Sequence, residues 1–295
     1  MGLSFVKKAK TPTPSDSLSY FLHKVLSTGD SGRGFKRVHA SDVTKEDWCP
    51  RRHCLMKELG AQENAQEIGT ALQMVFDQGN LLAKHVLNVM AQSGILLGDW
   101  ECIHCGAMHR FRKKPGTCSK CSRSWFRYEE VRITSNQSGI SCGIDAFVSL
   151  PSEVTYRIVE IKTMDKEMFK SLKMPLAEHR LRTSLYLQSF LDSDHPAQGM
   201  VNTDEGLILY ISKGGFGEKR AHPKEWGFKD TSWTPFKEFK IERDQKIHGD
   251  YEALAKPVKA RQEGGALPCG ICPSAYADRA QSCEVVGPCF SGAYK

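Results

Sequence analysis

The chain has 295 residues, of which 40% are hydrophobic, so it is long enough to bury a core as one large domain or two small ones. Lys and Arg number 41 against 34 Asp and Glu, and the net charge of +7 favours an anionic partner such as nucleic acid. We find no signal-peptide pattern and no apolar run of about 18 residues, so we expect neither secretion nor a membrane span.

The N-terminus is basic and carries two Thr-Pro pairs, and residues 18–26 have the spacing of a short amphipathic helix. We expect residues 1–40 to form a flexible basic arm that contains this helix. A helix start follows, with Ser41 or Thr44 as the capping residue and acidic residues in the first turn. The main domain is therefore predicted to cover residues 41–295.

Residues 63–91 contain no proline and repeat apolar residues at helical spacing, which predicts one long helix or two abutting helices. His85 lies on this segment. A lone histidine on a helix is more often an ordinary surface or core residue than a ligand. Only the acidic hairpin farther along the chain makes His85 a candidate metal ligand.

Two Cys-x2-Cys pairs form the most specific local pattern in the sequence. Four thiolates in two close pairs suit a tetrahedral Zn²⁺ ion, and they predict a small zinc ribbon inserted at residues 100–127. Basic and aromatic residues crowd this insertion, so it either contacts DNA or serves only as a zinc-stapled surface insertion. The four predicted zinc ligands are Cys102, Cys105, Cys118 and Cys121. The surrounding basic and aromatic residues are His109, Arg110, Arg112, Lys113, Lys114, Lys120, Arg123, Arg127, Phe111, Trp125 and Phe126.

Residues 143–163 predict an antiparallel hairpin, because residues 154–161 alternate in polarity after a turn-forming Pro-Ser-Glu triplet. Asp145 falls at the first strand and Glu160 at the end of the second. Lys162 shares a strand face with Glu160, since successive side chains point to opposite faces.

These hairpin residues suit a hard divalent cation. Mg²⁺ or Mn²⁺ takes carboxylates, water and phosphate oxygens as ligands, and a neighbouring lysine can hold or deprotonate the attacking water. The alternative is a solvated strand face on which the charged side chains only keep the hairpin soluble. Charged residues are costly where an apolar strand should continue, which favours the metal site.

The second half of the chain supplies further helices and strands. Residues 176–191 predict a helix on which His179, Arg182 and Tyr186 line one face, suited either to hold a phosphate or to form an ordinary half-buried surface. Residues 206–212 predict a buried strand. The last two predicted elements are an edge strand at 236–241 and a charged helix at 243–263.

Four cysteines return near the C-terminus, in residues 269–289. One interpretation is a second closed zinc site that uses all four. The other adds Cys49, from far upstream, to three of them to hold an iron–sulfur cluster that ties the two ends of the domain together. Spacing alone leaves both open. These four cysteines are Cys269, Cys272, Cys283 and Cys289.

Several of these separated elements together resemble the PD-(D/E)XK nuclease superfamily, in its RecB-type branch, which includes CRISPR-associated and phage-encoded iron–sulfur exonucleases. The resemblance spans most of residues 41–289. The chain departs from the family pattern at several points. Arg182 stands where the family has glutamine, the gap from Gly79 to His85 is longer than usual, the aspartate element is shortened, and the last cysteines are spaced differently. The elements that carry the resemblance are Cys49-Pro50-Arg51, Gly79 to His85, Gly143-Ile144-Asp145, Glu160-Ile161-Lys162, Arg182-x3-Tyr186 and Cys269-x2-Cys272.

The resemblance implies an α/β fold: a mixed central sheet flanked by helices, with the zinc ribbon as an insertion and a C-terminal iron–sulfur staple. The implied active site has one or two Mg²⁺ or Mn²⁺ ions, with Lys162 acting on water and Arg182 and Tyr186 steadying the phosphate. The implied ligands of these ions are His85, Asp145, Glu160 and the carbonyl of Ile161. The implied ligands of a [4Fe–4S] cluster are Cys49, Cys269, Cys272 and Cys283, with Cys54 or Cys289 as substitutes.

The activity implied by the resemblance is that of a cytoplasmic DNA exonuclease. Its substrate would be single-stranded DNA or opened duplex ends, in recombination, repair or phage DNA processing. The alternative from another class is a non-catalytic DNA-binding or scaffold protein that keeps the fold and its metal staples. An RNA substrate is a third hypothesis.

Overall fold

The computed structural model describes residues 22–23, 25–26, 35–60, 69–214 and 234–291. Most of the predicted basic arm lies outside the described residues. Of the predicted helix at 18–26, the four described residues are helical. Phe35 and Val38 are already buried in the main core, so the folded unit includes residues that the sequence assigned to the arm.

The described part of residues 40–290 contains eight α-helices. It also contains one short 3-10 helix, Gln198–Met200, which directly precedes a long strand. The helices are α1 (Ala40–Val43), α2 (Pro50–Glu58), α3 (Thr70–Gln92), α4 (Lys166–Ser171), α5 (Ala177–Leu191), α6 (Gln245–Gln262), α7 (Asp278–Gln281) and α8 (Val286–Phe290). None of the helices in the described ranges is long and apolar enough to cross a membrane.

The strands form one seven-stranded mixed sheet and a separate pair. The strands are β1 (Leu96–Cys102), β2 (Met108–Lys113), β3 (Phe126–Glu129), β4 (Val131–Thr134), β5 (Ser141–Ile144), β6 (Ala146–Val148), β7 (Tyr156–Met164), β8 (Val201–Ser212) and β9 (Phe236–Glu242). The large sheet has the order β2-β1-β6-β7-β8-β9, and β3 also pairs with β1. Among the strand pairs of the described residues, only β7 and β8 run parallel, and the crossover between these two strands contains α4 and α5.

Helices cover both faces of the large sheet. On one face, α3 packs its apolar side against Val159 and Ile161 of β7. On the other face, α5 packs Leu185 and Leu187 against Ile158. Because neighbouring residues of a strand point to opposite faces, the α5 face is also the one that receives Glu160 and Lys162.

The predicted α/β class with a mixed central sheet is confirmed. The hairpin is also as predicted, because β6 and β7 pair antiparallel. Its second strand begins at Tyr156, two residues later than the alternation suggested, and Val154 is fully exposed. The predicted strand at 206–212 is the end of the longer strand β8.

Candidate active site

The β6–β7 hairpin places two acidic side chains beside each other. Asp145 sits between β5 and β6, where the chain leaves the small sheet and enters the large one. Its Oδ2 accepts a hydrogen bond of 2.7 Å from the backbone N–H of Ile161. This bond holds the Asp145 carboxylate next to Glu160, the residue before Ile161.

Glu160 is the most unusual residue of the site, because this acidic side chain is only 1% exposed. It forms ion pairs with Lys162, and with Arg182 at 3.7 Å. Neither carboxylate oxygen accepts a hydrogen bond of good geometry from the described residues. A buried carboxylate without hydrogen bonds is costly, so its oxygens are well suited to ligate a cation.

Helix α5 brings two further predicted residues to the same place. Arg182 and Tyr186 lie four residues apart, on the side of α5 that packs on the sheet, and both are largely buried. The space between α5, the hairpin and the small sheet is a cavity of about 490 Å³. Its lining residues are His39, Ala40, Ser41, Glu130, Arg132, Ser141, Cys142, Gly143, Asp145, Glu160, Lys162, Arg182 and Tyr186.

Burial and the repulsion between neighbouring negative charges change the pKa values of side chains that line this cavity. Burial raises the pKa of Asp145 well above its usual value, the Glu160 charge raises it further, and Lys162 opposes both effects. Burial also raises the pKa of Tyr186 well above its usual value, and the same carboxylates add to the rise. A divalent cation would relieve the repulsion between the carboxylates and favour the ionised form of Asp145.

Glu130 is a third carboxylate at this cavity, which the sequence did not single out. It follows β3 directly, and a Cβ at Gly143 would lie 2.8 Å from its Oε2. The absence of a side chain at Gly143 therefore lets Glu130 approach the floor of the cavity. Glu130 also pairs with Arg132 at 3.5 Å. In the sequence, the lack of a side chain at Gly143 was the one sign that another side chain approaches the backbone closely at this point.

Two predicted histidines are not brought to this cavity. His85 is exposed on α3, which packs against the sheet face opposite to Glu160 and Lys162, and it does not line the cavity. His179 lies on α5, but its Nδ1 hydrogen-bonds to the hydroxyl of Tyr210 at 2.8 Å. Burial lowers the pKa of His179 to about 4, which fits a neutral structural residue.

The four ribbon cysteines lie together as predicted. Their ligand atoms all lie within 4.8 Å of one another, which suits one tetrahedral ion. Cys102 ends β1, so the first pair of thiols is anchored on the large sheet. The structure therefore supports a metal-binding cysteine group here, as the spacing predicted.

His109 belongs to the interior of the ribbon and not to its basic surface. It is 7% exposed, and its Nε2 lies 3.4 Å from Cys118 Sγ. The backbone amide of Lys120 also donates to this sulfur. Burial raises the pKa of Cys118, but the hydrogen bonds from His109 and Lys120 outweigh it and lower the pKa to about 5. The thiolate required for zinc binding is thereby favoured.

The outer surface of the ribbon is basic and carries an exposed indole. Trp125 is 73% exposed and directly precedes β3. Arg110 pairs with Asp99, and Arg127 pairs with acidic residues of β1 and β3. Five other exposed cations have no ion pair with a carboxylate in the described part of the chain: Arg112, Lys113, Lys114, Lys120 and Arg123.

A second cavity, of about 300 Å³, lies where α2 meets the C-terminal segment. Four cysteines line it: Cys49, Cys272, Cys283 and Cys289. Cys269, which the resemblance assigned to a cluster, is exposed and does not line this cavity. Cys54 faces the main core, and burial raises its pKa to about 11, so it is not placed to substitute as a ligand.

Two arginines of α2 hold the C-terminal segment in place. Arg51 donates to the backbone carbonyls of Pro268 and Cys289, each at 3.1 Å. Arg52 makes two hydrogen bonds to the Glu284 carboxylate, at 2.9 and 3.0 Å. These arginine contacts join the two ends of the domain, and the link through an iron–sulfur cluster stays a prediction.

No protein-family model matches the chain, and no curated protein matches it. Among solved structures, the alkaline exonuclease LHK-Exo from Laribacter hongkongensis is similar at 14% identity, with a TM-score of 0.41 over 82% of this chain and 93% of that chain. The same exonuclease in complex with dAMP has 15% identity and a TM-score of 0.39, covering 77% and 88%. At this degree of similarity, the function of the chain rests on its own residues.

Proposed function

We propose that the protein is a divalent-metal-dependent nuclease that hydrolyses phosphodiester bonds in DNA. The observation that carries the proposal is the buried Glu160 carboxylate, which opens onto a polar cavity together with Asp145 and Lys162. Two carboxylates at one site repel each other unless a cation or proton joins them. A solvated strand face would show exposed side chains, and Glu160 is 1% exposed.

Asp145 and Glu160 would hold Mg²⁺ or Mn²⁺, with Glu130 as a nearby third carboxylate and the Ile161 carbonyl as a further candidate ligand. A bound divalent ion would polarise the scissile phosphate and lower the pKa of a coordinated water. Lys162 would orient or deprotonate the attacking water. Arg182 would hold a phosphate oxygen by charge, and the hydroxyl of Tyr186 would steady the DNA strand.

The ribbon supports DNA as the substrate of this site. Five of its cations pair with no carboxylate of the described residues and match the phosphate backbone, and Trp125 offers a face on which a base can stack. β3 runs from Trp125 directly to Glu130 at the catalytic cavity. At about 3.3 Å per residue, the stretch from Trp125 to Glu130 spans about 16 Å, so Trp125 lies about that far from the cavity.

The cavity lined by cysteines would hold a structural [4Fe–4S] cluster or a second Zn²⁺. The cysteine sulfurs there do not form a tight single-ion group like that of the ribbon, within the described ranges. A cluster separates its thiolates more widely than one ion does, because several irons and sulfides lie between them. Both the wider separation of the cysteine sulfurs and the cavity volume of about 300 Å³ fit a [4Fe–4S] cluster better than a single zinc ion.

End-labelled single-stranded and duplex DNA, incubated with Mg²⁺, Mn²⁺ or EDTA, would test the proposed nuclease. We expect cleavage with either metal and none with EDTA, because both carboxylates need a cation to act on phosphate. A ladder that shortens from one end would identify an exonuclease, and a matched RNA competitor would test the nucleic acid. Tight binding without cleavage in any metal would instead favour the scaffold hypothesis.

Replacing Trp125 with alanine should weaken binding of single-stranded DNA by about 5- to 150-fold, because a stacked base contributes about 1–3 kcal/mol. The indole is largely exposed, so its removal should leave the fold intact. Fluorescence anisotropy of a labelled oligonucleotide in EDTA measures this affinity without cleavage. Tyr276→Ala provides the control, since Tyr276 is 86% exposed on the C-terminal segment. Equal affinities of the two variants would contradict a stacking role for the ribbon.

A further inference from the structure

A buried histidine forms part of the wall of the cavity lined by cysteines. His53 lies on α2 one turn after Cys49, so the two side chains share one face of the helix. Both line the cavity, and His53 is 4% exposed. Thiols of the C-terminal segment face the same space, so His53 is enclosed with four potential metal ligands.

One ring nitrogen of His53 lacks a hydrogen-bond partner among the described residues. This nitrogen is Nε2, and it is buried. A buried polar atom without a partner is costly, so this nitrogen is suited to bind a group held in the cavity.

Aromatic neighbours fix the orientation of this ring. The Phe35 ring meets it edge-on at a centroid distance of 5.4 Å, and the Trp48 ring lies at 6.1 Å. Because the side chain cannot turn towards solvent without breaking these contacts, Nε2 must be satisfied from within the cavity. A cation held by the cavity cysteines would satisfy this nitrogen there.

We propose that His53 is a ligand, through Nε2, of the metal centre that this cavity holds, together with thiolates of the cavity cysteines. This inference rests on the proposed metal occupancy of the cavity but not on nuclease activity. Zinc and iron both accept imidazole beside thiolates. A histidine ligand needs a fixed ring orientation, and here the packed rings of Phe35 and Trp48 provide it.

Spectroscopy of the unmodified full chain, purified anaerobically, tests this ligand directly. Elemental analysis first shows which metal exceeds the one zinc expected in the ribbon. If the extra metal is iron, pulsed EPR of the reduced centre should show a nitrogen coupling that changes on labelling with 15N-histidine. If it is zinc, 113Cd exchange should give two NMR signals, one of them split by 15N-histidine. A centre without coupled histidine nitrogen, or no extra metal, would overturn the proposal.

A variant pair adds an independent measurement. His53→Ala should lower the affinity of the cavity for its metal by at least about tenfold, because even residues that only support a ligand change metal affinity by that much. His248→Ala is the matched control, since His248 is about as buried as His53 and its Nε2 has no hydrogen-bond partner among the described residues, but it lies outside the cavity, 3.8 Å from Asp192 Oδ2. Reconstitution with ferrous iron and sulfide, or with zinc alone, measures the loss. Undiminished metal content in folded His53→Ala protein would overturn the assignment, whereas failure of DNA cleavage would leave it intact.

Discussion

Glu160→Gln should reduce metal-dependent DNA cleavage by at least about 10²-fold, because the substitution removes a negative ligand while keeping the size of the side chain. The amide still offers one oxygen to Lys162 and Arg182, so we expect the variant to fold. Initial rates on labelled DNA across a range of Mn²⁺ concentrations measure the effect. Excess Mn²⁺ should raise the melting temperature of the unmodified protein and leave that of the variant nearly unchanged, since a ligand stabilises only a protein that binds it.

Glu178→Gln is the matched control for this experiment. Glu178 also pairs with Arg182, but it lies on the exposed side of α5 and does not line the cavity. Both substitutions remove one carboxylate from the same arginine, so only a role in the cavity separates them. Equal activity of the two variants would refute the assignment of Glu160 as a metal ligand and, with it, the proposed catalytic site.

Cys118→Ser should release the ribbon zinc and disorder the segment between Cys102 and Phe126. Structural zinc contributes on the order of 10 kcal/mol to the folding of small zinc modules, and this segment buries few apolar side chains of its own. Elemental analysis should show one zinc fewer per chain. Hydrogen exchange should accelerate within the ribbon and extend along β3 to Glu130, which would also weaken cleavage.

Cys269→Ser serves as the control for the zinc experiment. Cys269 is exposed, lies outside the ribbon, and does not line the cavity near the C-terminus. Its replacement should leave zinc content and hydrogen exchange unchanged. Slow exchange across the ribbon of Cys118→Ser would show that the ribbon is held by packing and not by metal.

The sequence was informative wherever a local pattern determines geometry. Alternation after a turn-forming triplet fixed the β6–β7 hairpin and the shared face of Glu160 and Lys162. Two close cysteine pairs were sufficient to predict the ribbon, because the four thiolates of two such pairs can together bind one zinc ion. Helical spacing also placed Arg182 and Tyr186 on one face of α5, the side that reaches the cavity.

The sequence was uninformative about which side of the sheet a helix covers. α3 is amphipathic as predicted, but its period does not say whether it packs on the face that carries Glu160 or on the opposite one. It packs on the face of Val159 and Ile161, which leaves His85 away from the carboxylates. Glu130 was missed for a related reason, because only the path of β3 from the ribbon brings it near Gly143.

The C-terminal cysteines show a further limit of spacing. Cys269 and Cys272 form a pair in the sequence, yet only Cys272 faces the cavity. Cys289 lines the cavity from α8, and its carbonyl accepts a hydrogen bond from Arg51. In a segment with few regular elements, the direction of each thiol depends on contacts with α2, and these contacts are far away in sequence.

The contacts of α2 with the C-terminal segment also set an order of events during synthesis. Arg51 meets the Pro268 carbonyl 217 residues later, and Arg52 meets Glu284 232 residues later. These partners follow the strands of the central sheet in the sequence, so α2 lacks their contacts until that sheet has been synthesised. Closing so long a loop carries an entropic cost, and such long-range contacts slow folding. The cavity of His53 and the cysteines is therefore completed only after the strands of the central sheet have been made, and metal insertion there follows the assembly of the core.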